Sequence, residues 1–203
     1  MPLYHGTGKE EANNDVLNFN NNKLKIEIPD ISKFNYLSKI KKLPGSLGYG
    51  YYTFEDDKEI AYSFSEKKKY PEPTVLKIQI NKDFDDDHVL DFKEEYKKKL
   101  FLQFAKSTKQ NEIGKIILKK FEDTHQNVRI SAKQDVFAGI MTELFIKYMY
   151  KEEGKVIQIV RKDTETFLPP FDNSKYRLGI PNGTEVCIRD VNCIKTVDII
   201  SLS

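Results

Sequence analysis

The chain predicts an α+β fold, and three observations carry that expectation. Segments with the period-two alternation of half-buried strands lie toward both ends of its 203 residues. Residues 91–150 instead place apolar side chains at three- and four-residue steps, the spacing of helices. The two patterns are segregated, which suits a sheet-based core interrupted by a helical insertion over 91–150. The length fits a single domain, 1–203, with enough residues for a sizeable core.

Taken in order, the chain opens on Leu3-Tyr4 followed by His5-Gly6-Thr7. This is a strand end whose glycine either turns the chain or lays bare backbone against a ligand. Residues 13–23, NNDVLNFNNNK, are asparagine-rich and read as a loop holding at most a short helical turn. Over Ile31–Lys42 the apolar residues Phe34, Leu37 and Ile40 give a short helical spacing, stopped by Pro44-Gly45. Glycines 45, 48 and 50 lead into an aromatic strand, Tyr51–Phe54. Glu55-Asp56-Asp57 then supplies an N-terminal cap for a helix over Lys58–Lys68. Thr74–Ile80, TVLKIQI, alternates as a strand.

Three helices follow, over Phe92–Phe104, Glu112–Phe121 and Lys133–Tyr150. The third is apolar over much of its surface, which reads as a buried core element more readily than as an interaction face. Strands return over Lys155–Arg161 and Glu185–Val191, and again in the terminal VDIIS. The connection 162–183, rich in Pro, Asn and Gly, is long enough to suggest a functional loop.

Composition narrows the function classes. A net charge of +2 makes no global demand for a nucleic-acid partner. The clusters Lys67-Lys68-Lys69, Lys97-Lys98-Lys99 and Lys119-Lys120 read as solvated faces. Cys187 and Cys193, without a histidine cluster, make neither a zinc site nor a disulfide framework, and both are expected as reduced thiols. No apolar run is long enough for a bilayer span, and the start lacks the basic-then-apolar pattern of a leader. A cytoplasmic protein is expected, unless it is delivered into a target cell as an effector.

Three segments combine polar chemistry with strand-end placement: LYHGT (3–7), GYGYYTFEDDKEIAYSF (48–64) and NGTEVCIRD (182–190). Singly each has a structural explanation, a histidine at a strand end above all. Together, in this order, they resemble the motif set of the ADP-ribosyltransferases, in the poly(ADP-ribose) polymerase and diphtheria-toxin branch. That branch uses a histidine–tyrosine–glutamate triad. His5-Gly6-Thr7 matches its first motif, Gly48-Tyr49-Gly50-Tyr51-Tyr52 with Glu55, Asp56, Ala61 and Phe64 the second, and Glu185–Asp190 the third. The resemblance covers 1–80 and 179–203, and residues 91–150 match nothing in the pattern.

It implies a split mixed or antiparallel sheet and a reaction on NAD, used as substrate without a metal. It also implies roles. Glu185 would hold the ribose 2′-hydroxyl and stabilise the developing cation. Gly6 would offer backbone N–H and C=O to the nicotinamide amide. His5 would bond a hydroxyl of the adenosine ribose, with Thr7 supporting the turn. Phe64, or Tyr62 if the register shifts, would stack on the nicotinamide, and Tyr52 would line the pocket. Phe171, Tyr176 and Arg177 in the loop before Glu185 would contact the acceptor. Gly183 stands where arginine-modifying relatives carry a second acidic residue, which speaks against arginine as acceptor.

The chemistry suits so few residues. The pyridinium leaves NAD as neutral nicotinamide, so no general acid is needed, unlike the paired carboxylates of ordinary glycosidases. One carboxylate facing the oxocarbenium-like ribose supplies the main electrostatic help. At about 4 Å and an effective dielectric of about 20, a full charge pair is worth about 4 kcal/mol. The function so implied is transfer of ADP-ribose to a protein or nucleic acid by a bacterial or phage toxin, defence or effector protein, with an antitoxin or inhibitor protein as a further partner. Hydrolysis of NAD by water, and a catalytically inactive binding module, are the alternatives.

Overall fold

A computed structural model describes residues 2–81, 86–125, 130–165 and 180–200. The element order is β1 (Pro2–Gly8), α1 (Lys9–Asn20), β2 (Tyr51–Glu55), α2 (Lys58–Lys67), β3 (Pro73–Ile80), β4 (Val89–Asp91), α3 (Glu95–Lys106), α4 (Thr108–Thr124), α5 (Ile130–Glu153), β5 (Ile159–Thr164), β6 (Gly183–Ile188) and β7 (Ile194–Ile200). Seven strands form one sheet in the order β4-β5-β6-β2-β1-β3-β7. The architecture is therefore α+β.

The described chain falls into two compact units. One comprises Met1–Ile26, Tyr51–Phe84 and Arg161–Ser203; the other comprises Glu27–Gly50 and Asp85–Val160. The helical block expected over 91–150 thus belongs to a larger unit that also takes in residues 27–50.

In the first unit β1 is the central strand. It pairs antiparallel with β3 along its whole length, from Pro2↔Gln79 to Gly8↔Pro73. Leu3, Leu76 and Ile78 on one face and Val75 on the other are fully buried, so both faces of these strands are covered. α2 starts where expected: the Asp57 carboxylate accepts from the Ile60 N–H at 2.8 Å, satisfying a first-turn donor. It packs on the face carrying Phe54 and Val75 through Ile60 and Ala61.

Gly6 is the position that this packing needs. A Cβ there would lie 1.7 Å from the Ala61 carbonyl oxygen, so the helix backbone rests on the strand backbone. α1 contacts β3 and β7. The asparagine-rich stretch is therefore helical as far as Asn20, and only residues 21–23 lie beyond the helix. Glu10 and Glu11 favour its first turn, and the buried Ala12 ties it down, so tertiary packing overrides weak propensity.

The second unit is built on α5. Ile117 and Phe121 of α4 meet Ile140, Met141 and Leu144 of α5 in a core completed by Ile31, Leu37 and Tyr49. Phe101, Phe104, Phe145 and Tyr148 form a chain of ring contacts at 5.2 to 5.5 Å among α3 and α5. The expected helix over Ile31–Lys42 is only a six-residue 3-10 helix, Phe34–Lys39, with no side-chain cap; the buried Leu37 holds it. The chain leaves α5 through Gly154 at φ +69°, so β5 begins at Ile159 and not at Lys155. β1 runs on through Gly8 instead of turning at Gly6, and β6 starts two residues before Glu185. Both cysteines are free and buried.

Candidate functional site

His5, Gly6, Thr7, Tyr52, Tyr62, Phe64 and Glu185 all lie in the first unit. β1 and β2 pair only at Leu3↔Glu55 and Tyr4↔Phe54, while β2 continues against β6 from Phe54↔Glu185 to Tyr51↔Ile188. The ladder between the two central strands therefore opens at His5, and the sheet is split there.

Hydrogen-bond alternation shows what faces the opening. The Asp56 N–H donates to the Pro2 carbonyl at 3.1 Å, so Pro2 directs its backbone toward β2. Alternate residues of a strand share that direction, which aims the N–H and C=O of Gly6 at the split. An unbroken ladder would set Gly6 against Tyr52. Instead, the Tyr52 carbonyl accepts from His5 Nδ1 at 2.6 Å. A carbonyl only accepts, so Nδ1 carries the proton. A side-chain bond replaces a ladder bond, and the two strands part around it.

The register sorts the remaining candidates by face. Tyr4, Phe54 and Glu185 stand in one row across β1, β2 and β6, and Gly6, Tyr52 and Cys187 project to that same side. α2 covers part of it. Phe64 sits with its ring centroid 6.0 Å from that of Phe54, the direct neighbour of Glu185, and Tyr62 packs on the same cluster. His5 and Thr7 project to the other side. There the His5 ring lies 4.4 Å from Tyr51, whose hydroxyl donates to Asp15 of α1 at 2.5 Å. Burial, and then the Asp15 carboxylate, push the Tyr51 phenol far above its ordinary value. Thr7 is buried beside Thr74. His5 and Glu185 thus belong to opposite faces, joined through the backbone at the split. Phe171, Tyr176 and Arg177 lie outside the described residues.

Three participants are not singled out by the motifs. Lys162 of β5 holds its ammonium 3.9 Å from the Glu185 carboxylate, with both side chains less than a third exposed. Arg161 stands 3.5 Å from Glu55 on the opposite face, and Asp163 accepts from the Thr184 hydroxyl at 3.0 Å. The run of charged side chains at Arg161-Lys162-Asp163 is the hint in the sequence. Successive residues of β5 reach opposite faces, Arg161 toward Glu55 and Lys162 toward Glu185.

Among the described residues no group of three or more His, Cys, Asp or Glu side chains is placed to hold a metal ion, and no helix is long and apolar enough to cross a membrane. Compared with protein-family models, curated proteins and solved structures, the chain gives no significant match to any.

Proposed function

We propose that this chain is an ADP-ribosyltransferase that cleaves the nicotinamide–ribose bond of NAD and passes ADP-ribose to a macromolecular acceptor. The observation that supports this reading is the split at His5-Gly6, with Glu185 one strand beyond β2 on the face shared by Gly6 and Tyr52. The split leaves the Gly6 N–H and C=O, a donor and an acceptor, off the β1–β2 ladder, and a primary carboxamide needs one of each.

In this reading Gly6 receives the nicotinamide amide, while Phe64 or Tyr62 of α2 and Tyr52 of β2 flank the ring. Glu185 faces the ribose carbon as the bond to the pyridinium nitrogen lengthens. The bond's electron pair leaves with nicotinamide, and the acceptor's nucleophile takes its place on the ribose. His5 commits Nδ1 to the Tyr52 carbonyl, so a ribose hydroxyl would be met by Nε2. Lys162, 3.9 Å from the Glu185 carboxylate, yields to the substrate cation, whose charge competes for the same carboxylate.

The test is incubation with NAD labelled in its adenylate half, followed by separation of label on protein, on nucleic acid and as free ADP-ribose. Label on a macromolecule supports transfer. Free ADP-ribose alone replaces transfer by hydrolysis, and unchanged NAD removes the reading.

A further inference from the structure

A groove in the second unit, built from residues 27–49, offers a different chemistry. It is lined by Ile28, Pro29, Tyr36, Lys39, Lys41 and Lys42, with Tyr49 at its floor and a volume of about 690 Å³. We infer that this groove binds single-stranded nucleic acid. The inference goes beyond the proposed NAD reaction and does not depend on it.

Charge is the first argument. Three ammonium groups fall within four residues and share the lining with one carboxylate, Glu27. Neighbouring lysines are neutralised: Lys33 and Lys147 both pair with Asp30, at 3.9 and 2.8 Å. Among the described residues Lys39, Lys41 and Lys42 have no such carboxylate partner. Three uncompensated cations on one wall are an electrostatic match for successive phosphates.

Shape is the second argument. Tyr36 is 56% exposed, with the Lys39 ammonium 5.2 Å from its ring centroid. An exposed ring beside cations is the arrangement that stacks an unpaired base while lysines hold the backbone. A duplex presents phosphates but keeps its base faces stacked, so it leaves Tyr36 unused.

The wall is also fixed. Leu37 and Ile31 are buried in the unit's core. The His125 ring lies against the segment, with Nε2 3.3 Å from the Lys41 carbonyl. At the floor the Tyr49 N–H donates to the buried Glu143 carboxylate at 2.7 Å. The lysines therefore project from an anchored backbone, which loses little order on binding.

Fluorescence anisotropy with labelled DNA and RNA single strands of about 12 nucleotides tests the inference, using the full chain. Three phosphate contacts predict a log–log salt slope of about −2. The triple variant Lys39→Gln/Lys41→Gln/Lys42→Gln should flatten the slope and weaken binding at least about tenfold. Tyr36→Ala should weaken it by about tenfold and leave the slope unchanged. All four side chains lie on the surface of the groove, and circular dichroism verifies that the variants keep the fold. The inference is overturned if the wild type fails to bind at low salt or if the triple variant binds as tightly. It is also overturned if a duplex or phosphatidylserine vesicles bind equally well with Tyr36→Ala neutral, which would leave a nonspecific basic patch. Because the readout needs no NAD, an inactive wild type that still binds strands would sink only the transferase reading.

Discussion

Gly6→Ala is expected to be among the most damaging single-methyl additions in this chain, and the structure supplies the magnitude. The added Cβ would stand 1.7 Å from the Ala61 carbonyl oxygen and 2.7 Å from its carbon. Carbon and oxygen normally approach to about 3.3 Å, so β1 and α2 must separate by more than about 1 Å. The obstacle is helix backbone at a fully buried residue, which cannot rotate away as a side chain can. Overpacking costs about 1–3 kcal/mol, and a rigid partner puts this site at the upper end. A gain of about 0.4–1 kcal/mol from restricting the unfolded chain offsets only part of it.

With a urea dependence of about 2 kcal/mol per molar, a net loss of about 2 kcal/mol lowers the midpoint by about 1 M. Gly183→Ala is the control. Its Cβ would meet only the Ile60 Cδ1 at 2.7 Å, the free end of a flexible side chain. Repacking there should cost less than about 1 kcal/mol. Equal midpoints for the two variants, or a Gly6→Ala midpoint at the wild-type value, would refute the backbone-on-backbone contact.

Other consequences can be checked with the same purified protein. Glu143→Ala leaves the buried Tyr49 N–H without its acceptor and should cost about 2–3 kcal/mol in urea unfolding. Glu143→Gln retains an amide oxygen at that place and should recover part of the loss. Tyr51 predicts a pH dependence. Burial and Asp15 raise its folded-state value above that of the unfolded chain, so its contribution is complete below about pH 10 and is lost as the pH rises further. Above about pH 10, wild-type unfolding free energy should fall more steeply than that of Tyr51→Phe, by up to about 1.4 kcal/mol per pH unit; parallel curves would contradict this. Burial and the nearby Asp190 push the Cys193 thiol up to about 11. At pH 8 about one molecule in a thousand carries the thiolate, so Ellman's reagent should react with Cys193 only after unfolding.

What the chain discloses by inspection is what neighbouring residues decide. The alternation of Thr74–Ile80 and the Asp57 cap are local, and β3 and α2 appear where those signals place them. α1 was hidden because asparagine disfavours helix, while the contacts that hold it reach β3 and β7. The site divides in the same way. His5, Gly6 and Glu185 stand out as residue types at strand ends, but the parting of β1 from β2 is a matter of register between distant segments. Nor does any spacing announce that the His5 ring replaces Gly6 at the Tyr52 carbonyl. Glu143 was invisible for another reason: one carboxylate on an apolar helix declares itself only once the Tyr49 backbone is set against it.

Nicotinamide release from NAD by wild type and Glu185→Gln tests the proposed role of Glu185 most directly. Glutamine keeps the shape and removes the charge. A full charge pair is worth about 4 kcal/mol, and the partial charge of a transition state uses a large share of it. Wild type should release nicotinamide, and Glu185→Gln should slow the release at least about a hundredfold. NAD affinity measured by calorimetry should change little in the variant. Release by Glu185→Gln at the wild-type rate, or no release by either protein, would contradict that role.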